Sequence, residues 1–158
     1  MRRTRTGDFQ IRLPQSERDI LRSLPDQLRE LLDTNDVALE RLFPPAYPDD
    51  PESEAEYRGL VREDLRAGRL SSLQVMESTI DSERLDEEQL TAWLGAINDL
   101  RLVLGSRLGV TEELYEREIP DDDPNVAAYA LYFYLGWLQE QVVEALASGL
   151  DPSGTAEP

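Results

Sequence analysis

The sequence predicts a mainly α-helical, single-domain protein: a helical bundle around an apolar C-terminal helix, with a short N-terminal β-hairpin. Three observations lead there. After Pro14, apolar residues recur at the i, i+3, i+4, i+7 spacing of one helix face over most of the chain. Only the opening residues alternate apolar and polar as a strand does. The 158 residues are 40% hydrophobic, enough for one buried core, and no internal repeat or shift in composition marks a second domain. The expected domain is 1–149, followed by a disordered acidic tail over 150–158.

The elements follow in order. RRTRTGDFQIRL alternates around Gly7-Asp8, which reads as a hairpin with a two-residue turn and with Phe9, Ile11 and Leu13 on one face. A two-stranded ribbon is marginal alone, so that face must rest on helices. PQSERDILRSL gives a helix of about ten residues, and Pro25 opens or kinks the next, PDQLRELLDT. Ile20, Leu21, Leu24, Leu28, Leu31 and Leu32 keep helical spacing across that proline. LFPPAYPDDPE carries too much proline for a helix or a central strand.

ESEAEYRGLVREDLRAG places Tyr57, Leu60, Val61 and Leu65 on one face, and Gly68 is read as its C-cap. LSSLQVMESTIDS, read as a further helix, groups Leu73, Met76 and Ile80. DEEQLTAWLGAINDLRLVLGSRLG is the longest amphipathic run, capped by Asp86 and Gly109. TEELYERE reads as a short helix with Thr111 as N-cap; Leu114 stands where a capping box needs Glu or Gln. The last helix starts at Pro124 behind Asp123, a carboxylate suited to a helix N-terminus.

That last helix, NVAAYALYFYLGWLQEQVVEAL, has no charge or side-chain amide from Val126 to Leu138. The run is shorter than the roughly 20 residues of a spanning helix, and Asp121, Asp122 and Asp123 abut it, so it is not a membrane segment. By phase, Ala127, Leu131, Tyr134, Leu135, Leu138, Val142 and Ala145 form one stripe, the expected core face. Phe133 and Trp137 fall on the other side with Val126 and Ala130, where Gln141 and Glu144 follow one turn later. The expectation is a helix enclosed all round in its first half and surfacing in its second. Alternatives for the second side are a subunit interface, giving a homodimer, and a ligand-binding aromatic box. Tyr129, Phe133 and Trp137 are the candidate partner or pocket surface: an enclosed cavity beside them favours a ligand, an open apolar surface favours protein association.

One charge breaks a core pattern. Leu90, Trp93, Leu94, Ile97, Leu100, Leu104 and Leu108 make a stripe, and Arg101 falls near its centre. A buried charge needs a partner, and Glu77, between Met76 and Ile80, is the expected mate in a buried ion pair.

Composition removes several chemistries. No cysteine or histidine occurs, which excludes disulfides, thiol nucleophiles, Ser-His-Asp triads and the Glu-x-x-His sites of di-iron bundles. Phosphate-loop, dinucleotide and nucleophile-elbow glycine motifs are missing, and DDDPN lacks the spacing of an EF-hand loop. No catalytic, cofactor or metal residues are assigned, and the chain is not read as an enzyme. All 16 basic residues are Arg, which reads as coding bias, not as selection for phosphate recognition. The net charge of −17 opposes direct binding to a nucleic-acid backbone and suits solubility or a partner with a basic surface. MRRTRTGD leads into no apolar segment, so no signal peptide is expected.

TRTGDFQIRL, RLFPPAYPDDPESEAEYR and LRLVLGSRLGV, within residues 2 to 148, carry a resemblance to a family. The chain resembles actinobacterial proteins of unknown function encoded beside the ClpS protease adaptor, a family with a branch named for an oxidative stress transcriptional regulator, AosR. The resemblance implies a cytoplasmic, mostly helical protein that acts through other proteins, the transcription machinery among them. The thiol-based switch attributed to the regulator branch needs cysteines, and this sequence has none. The resulting reading is a non-enzymatic regulatory or adaptor protein working by protein–protein interaction on an unidentified partner. The alternative is a small-molecule sensor with an aromatic pocket beside the last helix.

Overall fold

The computed structural model describes residues 1–32, 42, 49–111, 113–114 and 117–148. The elements are β1 (Arg2–Arg3), β2 (Phe9–Gln10), α1 (Gln15–Leu32), α2 (Pro51–Ser78), β3 (Arg84–Leu85), α3 (Glu87–Leu108) and α4 (Val126–Ser148). The fold class is as the periodicity predicts: helices joined in one domain behind an N-terminal antiparallel ribbon.

The ribbon differs in two respects. Its turn is longer than two residues: Arg3 pairs with Phe9, Thr4 and Asp8 close the loop with an N–H to carbonyl bond of 2.7 Å, and Gly7 takes φ +90°, which suits its missing Cβ. A third strand, β3, pairs antiparallel with β2, Phe9 opposite Leu85. Phe9, Ile11 and Leu85 are buried, and Leu13 packs on them partly exposed.

Pro25 does not divide α1. It lies inside a continuous helix and is itself buried, with Leu21, Leu24, Leu28 and Leu32 in the core on either side. An interior proline costs about 3 kcal/mol, and burial of four leucines outweighs that. Ile20, expected on the apolar face, is exposed instead.

Gly68 does not end a helix either. α2 runs unbroken through it, because Gly68 has no left-handed φ and the packing of Leu73 and Met76 continues the element. Asp50 caps its start, accepting from the Ser53 N–H at 3.2 Å, with Pro51 in the first turn. The first half of α2 buries little: Leu65 is exposed and Tyr57 and Val61 are half-buried.

α3 matches its expected limits. Asp86 and Gln89 form a reciprocal capping box, and Gly109 closes the helix at φ +64°. α3 packs against α2, α4, α1 and β3, and α4 packs on α3 and β1. Trp93 is fully buried, and its indole N–H donates to Thr79 Oγ1, the cap residue of α2. A second, smaller cluster joins Leu114, Tyr129 and Tyr132 beyond the end of α3. Of the short helix expected over 111–118, the described part is one turn in which the Leu114 N–H reaches the Thr111 carbonyl. The Pro-rich stretch at 43–48 and the tail expected at 150–158 lie outside the described residues. Among the described residues, no helix is long and apolar enough to cross a membrane.

Candidate functional site

α4 starts at Val126, two residues after the expected Pro124, and the Asp123 carboxylate accepts from the Asn125 N–H at 2.8 Å just ahead of it. Its core face is Tyr129, Tyr132, Leu135, Leu138, Val142 and Ala145. The opposite face is open. The first half of α4 is therefore not enclosed all round: among the described residues, its outer face carries exposed side chains. Ala127, expected in the core stripe, is exposed with Val126 and Ala130. Phe133 is 37% exposed and Trp137 49%; Val143, 46% exposed, lies roughly 120° round the helix from Trp137.

Of the three aromatics singled out, the structure brings two together. Phe133 and Trp137, one turn apart, line one open groove of about 640 Å³ between α4 and the Arg101 side chain of α3. Tyr129 is not part of it: it is buried against Leu114 in the smaller cluster. Tyr134 stacks on Trp137, ring centroids 6.0 Å apart, and steadies the exposed indole. Burial, then the nearby Glu17 carboxylate, pushes the Tyr134 phenol further above its ordinary value.

Arg101 forms one wall of the groove. Its Nη1 donates to Gln139 Oε1 at 2.9 Å, Gln139 Nε2 donates to Asn98 Oδ1 at 3.2 Å, and the guanidinium lies over the Tyr132 ring at 5.7 Å. Glu77 is not its partner. Glu77 is exposed on α2 and accepts from Arg29 Nη1 at 2.6 Å. The expected Glu77–Arg101 pair fails for a geometric reason: Arg101 leaves α3 on the side of α4, whereas Glu77 faces α1.

The buried ion pair is instead Arg69–Asp99, between α2 and α3. Arg69 Nη2 also donates to the Leu42 carbonyl at 2.7 Å. Burial raises the Asp99 carboxyl to about 6 against the opposing pull of Arg69. The signal was in the sequence: Asp99 interrupts the stripe Ala96, Asp99, Val103, two residues and about 200° from Arg101. Arg18 was equally readable, standing in line with Leu21, Pro25 and Leu28. It is buried and donates to four backbone carbonyls, Leu13, Ile80, Ser82 and Ile11, fastening α1 to the segment after β2 and the turn before β3.

Chemically, the groove presents two aromatic surfaces and Val143, with Glu140 and Glu144 also lining it. Among the described residues, no group of His, Cys, Asp and Glu side chains could hold a metal ion. The arrangement suits contact with another apolar surface.

A family profile described as a domain of unknown function, DUF2017, matches residues 1–146. Two relatives named oxidative stress regulator AosR, from Mycobacterium bovis and Mycobacterium tuberculosis, are each 33% identical over 128 residues, covering 70% of this chain and 58% of theirs. The chain thus spans just over half the length of the curated relatives it matches. No solved structure matches it.

Proposed function

The chain belongs to the family of the domain of unknown function DUF2017, and from that membership we propose that it is a non-enzymatic regulatory protein that acts by binding another protein. Relatives named as oxidative stress regulators support a link to the oxidative stress response. The observation that carries the reading is the open aromatic face of α4. Exposing Val126, Phe133 and Trp137 along one helix side keeps apolar surface in water, which an associating surface requires and a monomeric core does not. In this reading the stress signal reaches the chain through its partner, because it has no thiol of its own to oxidise. The regulator works in the cytoplasm.

A native-host strain lacking the chain tests this. Transcripts induced by hydrogen peroxide should change in that strain, wild-type chain should restore them, and a folded Trp137→Glu chain should not. An unchanged transcript profile on deletion rejects the regulatory role. Full restoration by Trp137→Glu removes the α4 face from it.

A further inference from the structure

We propose that the open face of α4 receives an amphipathic helical segment of a partner protein whose apolar stripe is flanked by basic residues. This rests on the protein-binding reading above and specifies the occupant.

The shape comes first. Val126, Ala130, Phe133 and Trp137 follow one side of α4, all exposed. At 1.5 Å per residue that strip is roughly 17 Å long, the length of about three turns of a partner helix. A long, narrow apolar strip beside an open groove is what an amphipathic helix covers with residues at i, i+4 and i+7 spacing.

Charge then selects the occupant. Glu140 and Glu144 line the groove and continue the same side of α4 beyond Trp137, while Asp121, Asp122 and Asp123 precede the helix at the other end of the strip. Among the described residues, neither Glu140 nor Glu144 forms an ion pair. After Arg117 the sequence holds no Lys or Arg, so α4 cannot neutralise these acids itself. Arg101, on the α3 wall, is held by Gln139 and the Tyr132 ring. Acidic groups at both ends of an aromatic strip are complementary to basic residues flanking an apolar stripe. A second copy fits worse: the same α4 face brings further carboxylates and no cation, on a body that also carries −17.

The full-length chain can be titrated with a synthetic helix-forming peptide of Leu at i, i+4, i+7 positions and Lys between them, and with its counterpart carrying Glu for Lys. Trp137 is the reporter, because Trp93 is fully buried. The Leu/Lys peptide should bind one to one and blue-shift the emission, whereas the Leu/Glu peptide should not bind. Glu140→Gln with Glu144→Gln should weaken binding about tenfold. Phe133→Ala should weaken it as well, with circular dichroism verifying the fold of each variant. Equal affinity for all variants means adsorption to the acidic surface at large and overturns the proposal. Absence of Leu/Lys binding also overturns it, and a wild-type dimer by sedimentation that Trp137→Glu dissociates would then make the second copy the occupant. If the peptide fails while Trp137→Glu still abolishes the transcript response, the protein-binding reading stands and only this partner chemistry is wrong.

Discussion

Trp93 and Thr79 meet in the core through one hydrogen bond: the indole Nε1–H donates to Thr79 Oγ1 at 2.8 Å, and that hydroxyl donates to the Val75 carbonyl at 2.6 Å. The bond joins the middle of the α2–α3 packing to the end of α2. Thr79→Val keeps the shape and leaves a buried indole N–H without an acceptor. It should destabilise the protein by about 1–3 kcal/mol, whereas Thr79→Ser should cost less. Urea unfolding followed by far-ultraviolet circular dichroism reads the difference; equal midpoints for wild type and Thr79→Val would refute it.

Asp99 makes stability depend on pH in an unusual direction. Its folded carboxyl, raised to about 6 by burial, keeps a proton that the unfolded chain releases near pH 4. The contribution of this group is therefore fully present below about pH 4 and is lost as pH rises through about 6. Asp99→Asn cannot titrate. Relative to that variant, wild type should lose on the order of 2–3 kcal/mol between acid and neutral pH. Denaturant curves for both proteins at several pH values measure the gap, and a gap independent of pH contradicts the assignment.

Glu77 and Arg101 should behave independently. A double-mutant cycle between them should give a coupling within roughly 0.5 kcal/mol of zero, since they face different neighbours. The Arg29–Glu77 cycle should give a small favourable coupling of about 0.2–1 kcal/mol, as expected of a largely solvated pair. A strong Glu77–Arg101 coupling would restore the pairing that helix phase suggests.

Trp137→Glu should leave a folded protein at a cost of about 1–2 kcal/mol, because half of the indole is in water while the rest packs, in part on Tyr134. Acrylamide should quench one of the two tryptophans readily, and Trp137→Phe should abolish that accessible component. Unfolding or aggregation of Trp137→Glu would place the indole in the core.

Phe9→Ala should cost about 3–5 kcal/mol, because Phe9 is fully buried where the ribbon rests on the helices. A melting temperature equal to that of wild type would show that the ribbon does not support the domain.

Where local signals agree, the sequence is readable to the residue. Asp86, Gln89 and Gly109 each have one preferred role at a helix end, and α3 begins and ends where they direct. Pro25 and Gly68 mislead for the opposite reason: each disfavours a helix by a few kcal/mol at most, and burial of neighbouring leucines decides instead. β3 is two residues long, below the reach of any periodicity, and exists because Phe9–Gln10 offers it an edge. On α4, phase separated Phe133 and Trp137 from the core stripe, yet which sides of a helix are covered depends on how many neighbours reach it. That also explains Tyr129, which is buried with Leu114 of the connection between α3 and α4. Charge partners are less legible still, since Arg69–Asp99 and Arg101–Gln139 depend on which helix lies on which side of α3.

The central position of β2 sets an order of events during synthesis. β2 lies between β1 and β3, so its second ladder needs Arg84 and Leu85. The guanidinium of Arg18 likewise waits for the carbonyls of Ile80 and Ser82. On the ribosome, the first ten residues can close only a marginal two-stranded ribbon until α1 and α2 have both emerged. The beginning of the chain thus reaches its final contacts after the middle exists, and non-local closure of this kind slows folding relative to helices that pair with their neighbours.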